Sequence, residues 1–141
     1  MRQTETILYE QLAQYMNLNY PGVLYHFDLS GVNNPSPRSR ALYSRLNGRG
    51  FPDMFIYALG SYADRTYYGL ALELKRAGER IKKRNGEWAD EHVAEQWQYI
   101  QRLRQSGYVA DIVVGFDDAR EAIDSYLKYA IINTPAEEAV F

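Results

Sequence analysis

Seven residues, Gly69-Leu70-Ala71-Leu72-Glu73-Leu74-Lys75, constrain this chain more than any other stretch. They read as the end of a strand running from Tyr67 to Lys75, and on a strand alternate side chains share a face. Leu70, Leu72 and Leu74 then point into a core, while Ala71, Glu73 and Lys75 point the other way. A carboxylate and an ammonium thus stand side by side at the end of an otherwise apolar strand. Charge is costly to bury there unless it is paired or bound to a cation. A plain salt bridge at a strand terminus meets that condition, so the pair alone does not choose between structure and chemistry.

A second carboxylate shifts the balance. Asp53 follows Gly50-Phe51-Pro52 and opens a strand candidate, Met54 to Tyr57. If that strand pairs with 67–75 through the turn at 58–65, Asp53 lies near Glu73. Two neighbouring carboxylates repel unless a cation neutralises them. Hard oxygen donors without sulfur or imidazole suit Mg²⁺ or Mn²⁺. Such a cation can bind a phosphate oxygen and help ionise a water, with Lys75 holding that water or offsetting transition-state charge. Two further residues break their local pattern. Glu5 is an acid heading the helical stripe Leu8, Leu12, Tyr15, and Gln96 is polar between Val93 and Ile100 in an apolar seam. A helix-terminus carboxylate and a boundary amide account for them equally well one at a time. Several breaks that can converge are more telling than one.

The remaining chain supplies the frame. A first helix spans 4–18, capped by Thr4 or Thr6 and stopped by Tyr20-Pro21-Gly22. Residues 23–27 read as a strand, 30–37 as a loop, and 39–46 as a short helix ended by Asn47-Gly48. After the polar loop 82–88, with its turn at Asn85-Gly86, Asp90 caps a helix over 91–105 with Val93, Trp97, Ile100 and Leu103 inward. Gly107 ends it. Tyr108 to Val114 is an apolar strand suited to burial on both faces. Asp117 or Asp118 caps a last helix with the stripe Ala119, Ala122, Ile123, Tyr126, Leu127, Ala130. The order α-β-(α)-β-β-α-β-α predicts an α/β protein: a mixed sheet of about four strands with helices packed on it. A single domain over 1–132 and a loose tail over 133–141 are expected.

Composition narrows the chemistry. A chain of 141 residues, 46% hydrophobic, is one globular domain rather than a disordered segment. With no cysteine there is no disulfide, thiolate zinc site or cysteine nucleophile, and two histidines exclude histidine-rich metal chemistry. No apolar run suits a membrane span, and acids occupy the N-terminal stretch where a signal peptide has its apolar core. A soluble, cytoplasmic protein is expected. The net charge of −2 speaks against wholesale coating of nucleic acid, yet ten of sixteen basic residues fall in two segments. Arg38, Arg40, Arg45 and Arg49 form one; the other runs from Lys75 to Arg84 and includes Arg76, Arg80, Lys82 and Lys83. They form either a phosphate-binding surface or two ordinary solvated loops. Nucleophile-elbow, phosphate-loop and zinc-protease motifs are absent from the sequence.

Asp53 and Glu73-Leu74-Lys75, in this element order, resemble the PD-(D/E)xK nuclease superfamily. Within it the chain is similar to the VRR-NUC family, in its small stand-alone form found in phages and prophages. The residues that carry the likeness are Gly50-Phe51-Pro52-Asp53-Met54-Phe55, Leu72-Glu73-Leu74-Lys75-Arg76, Glu95-Gln96, Gly107-Tyr108 and the helix from Asp117 to Leu127. The likeness runs from about residue 4 to 129. It implies a restriction-endonuclease-like mixed four-stranded sheet flanked by helices. It implies Asp53, Glu73 and the Leu74 carbonyl as metal ligands, Lys75 assisting the attacking water, and Gln96 positioning the site. Glu5 would match the first-helix acid, directly or through water, with Glu10 as the alternative on another face. The long arginine stretch before Arg49 departs from the tight approach expected in that family.

The expected function is therefore a divalent-metal-dependent endonuclease (Mg²⁺ or Mn²⁺) acting on DNA. The resemblance favours branched substrates and a homodimer, with no small-molecule cofactor and no membrane. Two other readings stand beside it. One is a catalytically silent nucleic-acid-binding or assembly module on the same fold; the other is a protein-interaction domain using its thirteen tyrosines.

Overall fold

The structure, a computed structural model, describes residues 4–29, 36–47 and 51–130. Residues 30–35 of the expected loop 30–37, Arg49 with its flanking glycines, and the expected tail 133–141 lie outside the described residues. Ten elements follow in chain order: α1 (Glu5–Asn19), β1 (Leu24–Phe27), α2 (Pro37–Asn47), β2 (Met54–Tyr57), β3 (Gly60–Tyr62), β4 (Arg65–Tyr67), β5 (Leu70–Lys75), α3 (Glu91–Gln105), β6 (Val109–Val114) and α4 (Gly115–Leu127). Local chemistry sets most of the boundaries. Thr4 caps α1 by accepting from Ile7 N–H, and Asp90 caps α3 by accepting from Val93 N–H. Ser36 accepts from Ser39 N–H and Pro37 takes the first turn of α2, so that helix starts two residues earlier than its apolar pattern suggests.

The main sheet is mixed and four-stranded, ordered β1-β2-β5-β6, with only β5 and β6 parallel. Helices cover both faces. Leu8, Leu12 and Met16 of α1 and Ala119, Ile123 and Leu127 of α4 pack with Met54, Ile56, Leu70, Leu72 and Leu74. Across the sheet, Val93 and Ile100 of α3 close over Ala71, Ala110 and Ile112. All six residues of β5 are therefore buried, including those on the face expected to point away from the core.

Three expectations need correction and a fourth holds with one exception. The extended run 67–75 is interrupted: Tyr68 N–H donates to Gly107 O rather than to a strand partner. Gly69 passes so close to β2 that a Cβ there would lie 2.8 Å from Ile56 O. The turn region 58–65 instead forms a separate hairpin, β3 against β4, around Ala63 and Asp64, both at positive φ. The last helix begins at Gly115, before Asp117 and Asp118; Asp118 reaches back to accept from Val114 N–H. Finally, β6 is covered on both faces as expected, with Val113 on one and Ala110 and Ile112 on the other, except that Asp111 is exposed; Trp97 and Leu103 of α3 pack inward but stay half-buried. Among the described residues no helix is long and apolar enough to cross a membrane.

Candidate active site

The site forms where β2 begins and β5 ends. Pro52 is fully buried and opens the approach to β2. Asp53 follows it; its carbonyl accepts from Asp28 N–H at 2.7 Å, and its Oδ2 accepts from Leu74 N–H at 2.9 Å. The backbone of Asp53 is thus held from β1 and its carboxyl from β5. The antiparallel register Met54↔Leu72, carried one residue further, sets Asp53 opposite Glu73. The two carboxyls come within hydrogen-bonding reach of each other.

Glu73, Lys75 and Gln96 are the buried polar or charged residues among the described ones. Gln96 projects from α3 and donates its Nε2 to Glu73 Oε1 at 2.6 Å; Lys75 Nζ stands 3.9 Å from the same oxygen. Glu73 Oε2 and Gln96 Oε1 are buried with no hydrogen-bond partner. Burial raises the pKa of Asp53 above the usual carboxylate range. Burial, reinforced by the Asp53 charge, pushes Glu73 up to about 10 against the opposing pull of Lys75. The structure thus favours a carboxyl pair that keeps a proton, because two ionised carboxylates so close together would repel.

Sequence reasoning missed two participants. Tyr9, buried on α1 and stacked on Phe27 at 5.1 Å, hydrogen-bonds Asp53. Its phenol is raised above its ordinary range by burial and then by Asp53. His92 lies one turn before Gln96 on α3, with its Nε2 3.2 Å from Gln96 Nε2. The available signals were spacings of four, from Glu5 to Tyr9 and from His92 to Gln96. Glu5 is exposed, and its charge raises the pKa of both Asp53 and Glu73. Among the described residues no three His, Cys, Asp or Glu side chains gather into a group that could hold a metal. The Asp53–Glu73 pair comes together, and Glu5 acts on it through its field.

The basic segments frame the site unevenly. The turn after β5 leaves directly from Lys75, with Arg76 half-buried and Arg80, Lys82 and Lys83 exposed. Lys82 sits 4.9 Å over the Trp88 ring and Lys83 pairs with Glu87 at 4.0 Å. Arg38, Arg40 and Arg45 are exposed on α2.

No family model matches the chain, and no curated protein matches it. A solved structure described as "VRR_NUC domain protein" does match. It covers 92% of this chain and 92% of that chain at a TM-score of 0.62 and 20% identity. The chain has the VRR_NUC fold. The likeness spans the mixed sheet and the helices on both of its faces. The Asp53, Glu73 and Lys75 constellation occupies adjacent strands of this VRR_NUC fold.

Proposed function

We propose that this protein is a divalent-metal-dependent nuclease that hydrolyses DNA phosphodiester bonds, within a single domain over 1–132. The observation that carries the reading is the Asp53–Glu73 pair, side by side, with Glu73 buried and its Oε2 unpartnered. A buried carboxylate oxygen without a partner is costly, and a hard cation is the partner its chemistry suits. Asp53 and Glu73 would hold Mg²⁺ or Mn²⁺, with the Leu74 carbonyl as a further oxygen donor. When bound, the cation supplies Lewis acidity toward a phosphate oxygen and toward the attacking water.

The chain's own residues supply the remaining roles. Gln96 fixes one oxygen of Glu73, and the Leu74 N–H together with Tyr9 fixes Asp53. Lys75, buried beside Glu73, orients the attacking water and offsets charge at phosphorus. Glu5 adds negative charge at the rim. Arg76, Arg80, Lys82 and Lys83, with Arg38, Arg40, Arg45 and Arg49, grip the flanking phosphates, so binding weakens steeply with salt. Branched DNA is the substrate, and a homodimer sets two such sites on one junction.

Incubating a branched DNA with Mg²⁺ or Mn²⁺ tests this, comparing wild type with Glu73→Ala and Lys75→Ala. Cutting by wild type alone, with DNA binding kept in both variants, is the expected result. Salt-sensitive binding without any cutting by wild type would assign the fold to a silent binding module.

A further inference from the structure

We infer that His92 is a positioning residue: it fixes the orientation of the Gln96 amide, and through that amide the placement of Glu73. The inference rests on the active-site reading above and extends it to a residue outside the carboxylate pair.

An amide has two ends of nearly equal size, so shape alone does not orient Gln96. Hydrogen bonding does. Gln96 Nε2 lies 2.6 Å from Glu73 Oε1 and 3.2 Å from His92 Nε2. An amide nitrogen carries two hydrogens, enough for Glu73 Oε1 and for a His92 Nε2 that bears no proton. His92 serves as that acceptor when its ring proton sits on Nδ1. Gln96 Oε1 is then turned away, buried and unpartnered. As long as Oε1 carries no proton, the opposite orientation would gain nothing at Glu73, because a carbonyl oxygen would face a carboxyl oxygen at the same short distance. It would also turn that carbonyl toward the lone pair of His92. In that tautomer His92 penalises the flipped amide a second time.

The consequence is local. With its nitrogen inward, Gln96 anchors Glu73 Oε1 from one side while Lys75 approaches the same oxygen at 3.9 Å. Oε2 is left as the oxygen without a partner. His92 itself is exposed in the first turn of α3 and belongs to neither core cluster. Its replacement therefore removes an acceptor without opening a cavity.

The test reads Gln96 directly. In metal-free, ¹⁵N-labelled protein the Gln96 side-chain amide pair is assigned by its disappearance in Gln96→Ala. In His92→Ala that pair shifts and its two proton frequencies draw together; His92→Gln, which offers a carbonyl acceptor, restores the separation. In cleavage assays His92→Ala lowers kcat by about tenfold at unchanged KM, the scale typical of a partner behind a ligand. It adds nothing further in a Gln96→Ala background. An amide pair unmoved by His92→Ala, or losses that multiply in the double variant, would overturn the assignment. Failure of wild type to cut DNA would remove the nuclease reading, while the amide spectrum would still decide the role of His92.

Discussion

The two faces of the sheet are built for different work. Under α1 and α4 the packing is mostly apolar, with Leu8, Leu12, Met16, Ile123 and the inward residues of β2 and β5 out of water. Under α3 the core is smaller, and toward the end of β5 it gives way to Glu73, Lys75 and Gln96, all buried. One strand serves both: Leu70, Leu72 and Leu74 face the first, Ala71 the second. Apolar burial on the first face stabilises the fold, whereas burying charge on the second costs stability that the first must offset. Stability and reactivity are thereby separated across a single sheet and can be perturbed independently.

The sharpest way to break that separation is to delete one group from each face. Leu12→Ala or Ile123→Ala, at positions with no solvent exposure, costs about 2–5 kcal/mol in denaturant unfolding. The molecules that remain folded keep their cleavage rate. Glu73→Ala does the reverse, lowering cleavage by roughly 100-fold or more while the melting temperature holds or rises. A large loss of stability in Glu73→Ala would show that the polar cluster holds the fold together.

Titration sharpens the comparison further. Glu73 has its pKa raised to about 10 in the folded protein, from an ordinary 4.5. The folded state therefore binds the proton more tightly than the unfolded chain. Its contribution is complete below the ordinary value and is lost as pH climbs toward the folded one. Metal-free protein should lose up to roughly 1 kcal/mol per pH unit between about pH 5 and 9, followed by thermal melts. Glu73→Gln should flatten the decline, and Mg²⁺ or Mn²⁺ should protect most at the alkaline end, because binding displaces that proton. A melting temperature that rises across the same window would contradict the burial of a neutral Glu73.

The apolar face carries one polar tie of its own. Tyr15 and Tyr20 hydroxyls both donate to Asp124 Oδ1, at 2.5 and 2.7 Å, joining α1 and its C-cap to α4. Asp124→Asn should cost about 1–2 kcal/mol without touching cleavage. The smallest structural effect is expected at the exposed Lys83–Glu87 pair. Lys83→Ala should move stability by less than about 0.5 kcal/mol, yet reduce the salt dependence of DNA binding by roughly one phosphate contact.

Much of this frame was legible in the sequence where local chemistry decides. Asp90 and the apolar spacing of 93, 97, 100 and 103 placed α3, and the antiparallel pairing of β2 with β5 was expected from two extended runs separated by a short segment, although that segment forms a hairpin of its own. The gathering of Asp53 and Glu73 was legible for the same reason. Three-dimensional crowding decided the rest. The break at Tyr68-Gly69 comes from the approach of Ile56 and from the bond to Gly107, both remote in sequence. Tyr9 looked like an ordinary neighbour of Leu8 until α1 was laid beside β1 and Asp53. His92 resembled a solvated helix residue because its only marker was a spacing of four from Gln96.

Anomalous scattering from a crystal of this protein soaked in millimolar Mn²⁺ tests the central claim most directly. We expect one strong peak bridging the carboxyl groups of Asp53 and Glu73, at the short oxygen distances typical of that ion. Density showing the two acids still paired through a shared proton, with manganese bound only elsewhere, would contradict it.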